Sequence, residues 1–214
     1  MSELKFEVVS IRPELYAAMP SLVFRLRIED GSERRIGAMA LKCQLRIEPQ
    51  RRTYDAAEAA RLDELFGDAA RWGDTVKPFL WTHVATVVTA FDRTTEVDLV
   101  VPCSYDMEVA SATYFRALGS GAAPIVLLFN GSVFYDIGGA MSVEPIAWDC
   151  EANAALPVPT WRELMDHYYP DSGWLRLQRE TLDALRRFKA RQALPTWDTT
   201  LELLLEAAGV GVRA

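Results

Sequence analysis

Histidine and cysteine, the side chains that most often bind metals or act as nucleophiles, are scarce in this sequence. The 214 residues include two histidines, His83 and His167, and three cysteines, with no Cys-x-x-Cys pair. The segment GSGAAP at 119–124 contains glycine but lacks the Gly-Lys-Ser/Thr ending of a phosphate-binding loop. These absences disfavour zinc-finger, nucleotide-binding and thiol-dependent enzymes, so we expect neither a cofactor nor catalysis.

Long apolar runs are also missing. No stretch approaches the ~20 apolar residues that a membrane-spanning helix needs, and the N-terminal MSELKFEVVSIRP has no basic segment followed by an apolar one. Three cysteines, an odd and small number, fit a reducing compartment. A formal net charge of −7 disfavours nucleic-acid binding, because phosphates would be repelled. We therefore expect a cytoplasmic protein that neither inserts into membranes nor binds nucleic acid.

The pattern of apolar residues changes along the chain. In SLVFRLRIEDG, apolar residues from Leu22 to Ile28 alternate with charged ones, which predicts a half-buried strand, and LKCQLRIEP repeats the pattern. After about residue 155 the spacing becomes helical. We predict an α+β fold, with a mainly antiparallel β-sandwich, Ig-like or jelly-roll-like, and short helical insertions over residues 1–155. C-terminal helices over residues 156–214 then pack on the sandwich or project from it.

One dipeptide predicts a tight turn. In PIVLLFNGSVFYDI, two apolar β-type runs flank Asn130-Gly131. Both central residues of a type I′ turn need a positive φ, which Asn and Gly tolerate best. The sequence therefore predicts a β-hairpin whose first arm, apolar on both faces, lies in the centre of a sheet.

Capping signals predict where two helices begin. Asp55 with Glu58 predicts a capping box for a helix over 55–66, and Thr160 with Glu163 predicts a second one. Apolar residues at helical spacing predict two more helices between Ser172 and Gly209.

The stretch DLVVPCSYDMEV places a cysteine, a serine and an aspartate within four positions. Counted by twos, Cys103 continues an apolar row that begins at Val97, and Cys43 does the same in its own strand. We interpret both cysteines as small buried hydrophobes and Ser104 and Asp106 as turn residues. A nucleophilic cysteine stays open if the fold brings a histidine close.

One local pair is a candidate for metal binding or acid–base chemistry. Glu163 and His167 are four residues apart on a predicted helix and therefore share a face. Together with a cysteine brought close by the fold, the pair predicts a metal-binding chaperone or a metal-dependent enzyme. The competing interpretation is an ordinary surface pair near a helix end, where a histidine is favourable by itself.

The C-terminal third combines arginines with aromatic side chains. Residues 176–191 carry six basic side chains against two acidic ones, and Trp and Tyr are favoured at protein interfaces. A solvated helix face and aromatics that pack against the sandwich would show the same features. We predict a docking surface for a protein partner that contains Trp174, Arg179, Arg186 and Arg187. A further alternative is a structural module that forms oligomers through an edge of the sandwich.

Four segments together resemble a bacterial family: LKCQLRIEPQRRTY, VVPCSYDMEV, LLFNGSVFY and WRELMDHYYPDSGWLRL. It is an uncharacterised family, a domain of unknown function found mainly in actinobacteria, and the resemblance covers residues 3–206. Its members tend to be encoded beside actinobacterial-type high-affinity NiFe hydrogenases and their maturation proteins. The resemblance therefore implies a non-catalytic accessory role in hydrogenase assembly or maturation, with a hydrogenase subunit or maturation factor as partner. It implies no site residues, because the family has no established chemistry.

Overall fold

The computed structural model describes residues 4–32, 34–103, 109–138, 140–170, 172, 175 and 177–211. The strands are β1 (Leu4–Glu14), β2 (Ser21–Asp30), β3 (Arg35–Ile47), β4 (Phe79–Phe91), β5 (Thr94–Pro102), β6 (Ala122–Ile137), β7 (Ala140–Pro145) and β8 (Glu151–Pro157). The helices are α1 (Ala56–Phe66), α2 (Trp72–Thr75), α3 (Val109–Ala117), α4 (Val158–Tyr168), α5 (Arg179–Arg191) and α6 (Trp197–Ala207), with short 3₁₀ turns at Pro49–Arg51 and Ala69–Arg71.

Two antiparallel sheets form a sandwich. One sheet has the order β1-β2-β5, and the other has the order β4-β3-β6, with β7 and β8 both pairing along the far side of β6. Phe6 of the first sheet stacks on Phe129 of the second, with 4.1 Å between ring centroids. At the sides of the sandwich β4 lies beside β5 and β1 lies beside β8. The predicted α+β class with a mainly antiparallel sandwich is confirmed.

The predicted alternation of strand residues is also confirmed. Leu22, Phe24, Leu26 and Ile28 of β2 are all fully buried, at 0% exposure, while the charged residues between them lie on the other face. The alternating residues of β3 from Leu41 to Ile47 are buried in the same way. Because burying a large apolar side chain contributes ~1.5–3 kcal/mol, both rows stabilise the fold.

The predicted hairpin at Asn130-Gly131 is wrong, because β6 runs straight through both residues. Gly131 lies opposite Leu41 of β3, and a Cβ atom at this position would lie 2.0 Å from the carbonyl oxygen of Ala40. Glycine is therefore required by the close approach of a neighbouring backbone, with φ at 137°, and not by a turn. At this dipeptide the neighbour of β6 changes from β8 to β7. On one side of it the Phe129 N–H donates to the Cys150 carbonyl, and on the other the Ile146 N–H donates to the Gly131 carbonyl.

The helix starts agree with one capping prediction and correct the other. The Asp55 carboxylate accepts a hydrogen bond from the Glu58 N–H, as predicted for α1. Helix α4 begins two residues before Thr160, at Val158, and has no side-chain cap. Its first N–H donates instead to the carbonyl of Gly121, 2.9 Å away, so tertiary contact replaces the predicted capping box.

The chain divides into two compact units, Met1–Ser172 and Gly173–Ala214. The first contains the sandwich and α1 to α4. Helix α4 packs within it, because Trp161 stacks on Phe115 and the Tyr168 hydroxyl donates to the Ala17 carbonyl. The change from strand to helix thus comes close to residue 155, whereas the compact unit extends beyond it. The second unit contains α5 and α6. In the described part of the chain, no helix combines the length and the apolar character needed to cross a membrane.

Candidate protein-binding surface

Helix α5 is a basic segment in an acidic chain. Five of its residues are basic: Arg179, Arg186, Arg187, Lys189 and Arg191. Glu180 and Asp183 are its only acidic residues, so the helix carries +3 while the whole chain carries −7. The rest of the chain therefore carries −10. Basic residues in the last turn also interact favourably with the helix dipole, which favours their position at this end.

The arginines that were predicted on α5 are exposed and weakly engaged. Arg186 makes one ion pair, with Asp183 one turn earlier, at 3.4 Å between Nη1 and Oδ1. Such an exposed pair contributes only ~0–1 kcal/mol and releases its members easily. Within the described residues, Arg179 and Arg187 make no ion pair and no side-chain hydrogen bond. Their guanidinium groups are therefore available to carboxylates from outside.

Lys189 differs from these arginines because it closes the end of the helix. Its ammonium group donates to the carbonyls of Leu194 and Pro195, at 2.8 and 3.0 Å. It also lies over the ring of Trp197, 5.9 Å from the centroid, at the limit of a cation–π contact. Since two of its three N–H donors bind carbonyls within the second unit, Lys189 is not part of the candidate surface.

The aromatic residues of the C-terminal third separate into different environments. Trp161 is buried in the core of the first unit, and the hydroxyl of Tyr168 is held by the carbonyls of Glu14, at the end of β1, and Ala17, in the turn that follows. Trp197, at the start of α6, is exposed. Trp174 lies outside the described residues, so its place on the surface stays a prediction.

Glu163 and His167 both lie exposed on α4, one turn apart. The ring of His167 packs edge-on against Tyr168, 5.1 Å between centroids. Over the ranges that the structure describes, no three His, Cys, Asp or Glu side chains are grouped closely enough to hold a metal ion. A metal at this pair would need ligands from elsewhere, and the metal-site alternative stays a prediction.

The cysteines behave as the sequence predicted. Cys43 and Cys103 are buried in the core, and burial raises the pKa of each thiol to about 12. Neither thiol is therefore ionised at neutral pH, which is the opposite of what a nucleophile requires. Cys103 is placed by its N–H, which donates to the Pro20 carbonyl at 2.7 Å. Ser104 and Asp106, predicted as turn residues, lie outside the described residues.

A buried ion pair next to α3 was missed by the sequence analysis. The Arg52 guanidinium lies 2.6 Å from the Glu58 carboxylate, and their side chains are 11% and 3% exposed. Arg52 also donates to the carbonyls of Ser120 and Ala122, and Glu58 accepts from the Gly119 N–H. Glu58 was predicted only as a capping residue, and nothing local indicates that its carboxylate meets an arginine and a loop 61 residues away.

Two further arginines hold the same loop. Arg61 donates from Nε to the Ala117 carbonyl at 2.8 Å, and Arg162 donates from Nη2 to the Leu118 carbonyl at 2.6 Å. Beside them lies an open cleft of about 410 Å³, lined by Arg51, Arg52, Thr53, Ser120, Gly121, Ala122 and Pro124. Because the Arg52 amino groups already bind a carboxylate and two carbonyls, we assign this cluster to positioning the α3–β6 connection.

Comparison with known proteins identifies the family of this chain. The structure of a β-glucosidase from Kluyveromyces marxianus aligns with 73% of this chain. The alignment covers 15% of the enzyme, at 7% sequence identity and a TM-score of 0.28. The structure of β-glucosidase 3B from Thermotoga neapolitana in complex with α-D-glucose aligns with 72% of this chain. The alignment covers 17% of the enzyme, at 12% sequence identity and a TM-score of 0.26. This chain thus spans less than a fifth of either enzyme, and overlaps with such TM-scores carry no argument about function. No curated protein matches the sequence. The model of the family of unknown function DUF6084 matches residues 1–212, so the chain belongs to that family.

Proposed function

We propose that this chain is a non-catalytic, cytoplasmic accessory protein that binds an acidic protein partner through α5. The binding surface consists of Arg179, Arg186 and Arg187, with Trp174 as its aromatic member. The observation that carries the proposal is the local charge: a helix with a charge of +3 has exposed guanidinium groups, of which only that of Arg186 is in an ion pair among the described residues, while the rest of the chain carries −10.

The chemistry of arginine determines the kind of partner. A guanidinium group binds carboxylates through two parallel hydrogen bonds, which gives orientation as well as attraction. The acidic remainder of the chain repels other acidic surfaces, so an acidic partner is drawn to α5 and not to other faces. Binding should therefore be faster at low ionic strength and weaken as salt is added.

The proposal includes a role in hydrogenase assembly or maturation. This part rests on the family resemblance, because members of that family tend to be encoded beside hydrogenase genes. In that context the partner is a subunit, precursor or maturation factor of a NiFe hydrogenase. The basic surface supports a protein partner in general, and the resemblance supplies its identity.

A native pull-down tests both parts. The tagged chain is expressed in its own host under conditions that induce hydrogenase, and co-eluting proteins are identified by mass spectrometry. We expect hydrogenase subunits or maturation factors with the wild-type chain, and their loss with Arg186→Glu combined with Arg187→Glu. The matched control is Arg71→Glu combined with Lys77→Glu, because both residues are exposed and the charge change is the same.

The outcomes separate the two parts of the proposal. Capture that survives the double change on α5 would exclude this helix as the binding surface. The tagged chain could instead capture acidic proteins unrelated to hydrogenase, with capture lost in the α5 variant and kept in the control. That result would support α5 as the binding surface and refute the hydrogenase role. Recovery of the tagged chain alone would refute both. Melting temperatures within a few degrees of wild type confirm that the variants are folded.

A further inference from the structure

Strand β7 is a sheet edge with open main-chain groups and, within the described residues, no strand of the other sheet beside it. At the other edges a strand of the opposite sheet lies close by, β4 beside β5 and β1 beside β8, without forming a ladder of hydrogen bonds. Strand β7 pairs with β6 on one side, from Ala140 opposite Ile137 to Pro145 opposite Ser132. No other described strand runs along its second side. An open edge is a template for pairing with another strand.

The ladder between β6 and β7 identifies which groups face outward. Ile146 N–H donates to the Gly131 carbonyl, so these two residues form a hydrogen-bonded pair at the end of the ladder. In an antiparallel ladder such pairs alternate with non-hydrogen-bonded ones. The residues of β7 that bond to β6 are therefore the even-numbered ones. Met141, Val143 and Pro145 point their main-chain groups away from the sheet. A proline at an outward position is consistent with this register, because its missing N–H is not needed by β6.

From Ala140 to Glu144 the free edge has little of the usual protection against pairing. Met141 and Val143 are 74% and 55% exposed, and neither position carries a charge. No register shift interrupts the pairing of β7 with β6. Edge strands that avoid association usually carry a lysine, a proline, a bulge or an inward-pointing charge, and in β7 the proline stands at the last position, Pro145. The one acidic side chain of the strand, Glu144, is held by the Arg34 guanidinium.

We propose that β7 pairs antiparallel with the β7 of a second copy of this chain, about a two-fold axis at Ser142. In this register Met141 lies opposite Val143 of the second copy, and each uses both its N–H and its carbonyl. A register centred on Val143 would place Met141 opposite Pro145, which has no N–H, and would leave a Met141 carbonyl unpaired. The strand is therefore complementary to itself about Ser142.

Side-chain chemistry agrees with the same register. The opposed pairs are Met141 with Val143, Ser142 with itself, and Ala140 with Glu144, so no like charges face each other. The two Met–Val pairs extend an apolar strip that continues onto Phe134 of β6, which lies opposite Val143. The dimer joins two five-stranded sheets into one. It uses a different surface from α5, so it goes beyond the proposed function.

The first test is the mass of the full chain in solution. Light scattering or analytical ultracentrifugation from micromolar to millimolar concentrations should show a monomer–dimer equilibrium. Val143→Pro removes only the outward N–H, so the ladder with β6 is kept. Because each copy loses one donor, the dimer should dissociate about tenfold to a hundredfold more readily. Val143→Thr keeps the N–H and the β-branched shape and should dimerise like the wild type.

The second test fixes the register and is independent of the proline variant. Residue 142 faces its own copy in a non-hydrogen-bonded pair, with ~4.5 Å between Cα atoms, which suits a disulfide. Ser142→Cys should therefore form a covalent dimer on mild oxidation. Ala140→Cys places the two sulfur-bearing residues four positions apart, ~14 Å along the strand, and should remain uncrosslinked.

Several results would overturn the proposal. A wild-type chain that stays monomeric at millimolar concentration would do so, as would a dimer that Val143→Pro leaves intact. Crosslinking of Ala140→Cys as efficient as that of Ser142→Cys would exclude this register. A chain that stays monomeric and binds an extended peptide along β7 would show that this edge pairs with a different protein and not with a second copy.

Discussion

Glu58→Gln tests how strongly the buried ion pair holds the first unit together. The substitution keeps the shape of the side chain and removes its charge. Arg52, which is 11% exposed, is then left with two carbonyls and no carboxylate. Breaking a buried pair from one side costs ~3–5 kcal/mol, because the remaining charge is uncompensated. For a chain of this size 1 kcal/mol corresponds to ~2–4 °C, so the melting temperature should fall by ~6–20 °C.

Urea unfolding followed by tryptophan fluorescence measures this loss. Glu64→Gln is the matched control, because Glu64 is exposed on the same helix α1 and its change should stay within ~0.5 kcal/mol. Arg52→Met combined with Glu58→Gln should cost less than the sum of the two single changes, since the pair is lost only once. A Glu58→Gln variant within ~1 kcal/mol of the Glu64→Gln control would show that the pair contributes little and would refute this reasoning.

Three further predictions follow from other parts of the molecule. Gly131→Ala places a Cβ 2.0 Å from a carbonyl oxygen of β3 and should destabilise by more than ~4 kcal/mol, with aggregated or unfolded protein on expression; a variant of near wild-type stability by urea titration would contradict the continuous strand. Cys43 and Cys103, each with a pKa of about 12, should resist thiol reagents in the folded chain, while the half-buried Cys150 reacts first. Unfolding restores the ordinary thiol pKa near ~8.5. The free energy of unfolding should therefore fall as the pH rises from ~8.5 toward 12. Untagged protein should contain no stoichiometric nickel, iron or zinc by elemental analysis, and stoichiometric metal that disappears in His167→Ala would favour the metal-binding alternative.

The sequence predicted those parts of the fold that depend on local spacing. Alternation in β2 identified its buried row from Leu22 to Ile28 because one face of a strand meets one core. The cap at Asp55 was predictable because the carboxylate and the N–H that it accepts from are three residues apart. Local chemistry was sufficient in both cases.

Features that depend on distant segments were not predictable. Asn130-Gly131 matches a turn, but the need for glycine comes from the backbone of β3, 90 residues earlier in the chain. Helix α4 starts at Val158 because its N–H meets the carbonyl of Gly121. The partners of Glu58 include an N–H 61 residues away. Among the candidate site residues, the exposure of the α5 arginines could be predicted from their helical spacing. The grouping of arginines around the α3–β6 loop could not, because they come from distant parts of the chain.

The position of β6 also has a kinetic consequence. Its pairing with β3 closes a loop of about 75 residues, measured from Ile47 to Ala122, and β7 and β8 have no sheet partner until β6 is in place. Contacts of such long sequence separation form slowly, on the scale of milliseconds to seconds. We expect docking of β6 to limit the folding rate. Because β7 and β8 occupy different halves of β6, β7 can open alone, and its amide protons should exchange with solvent well before those of β3.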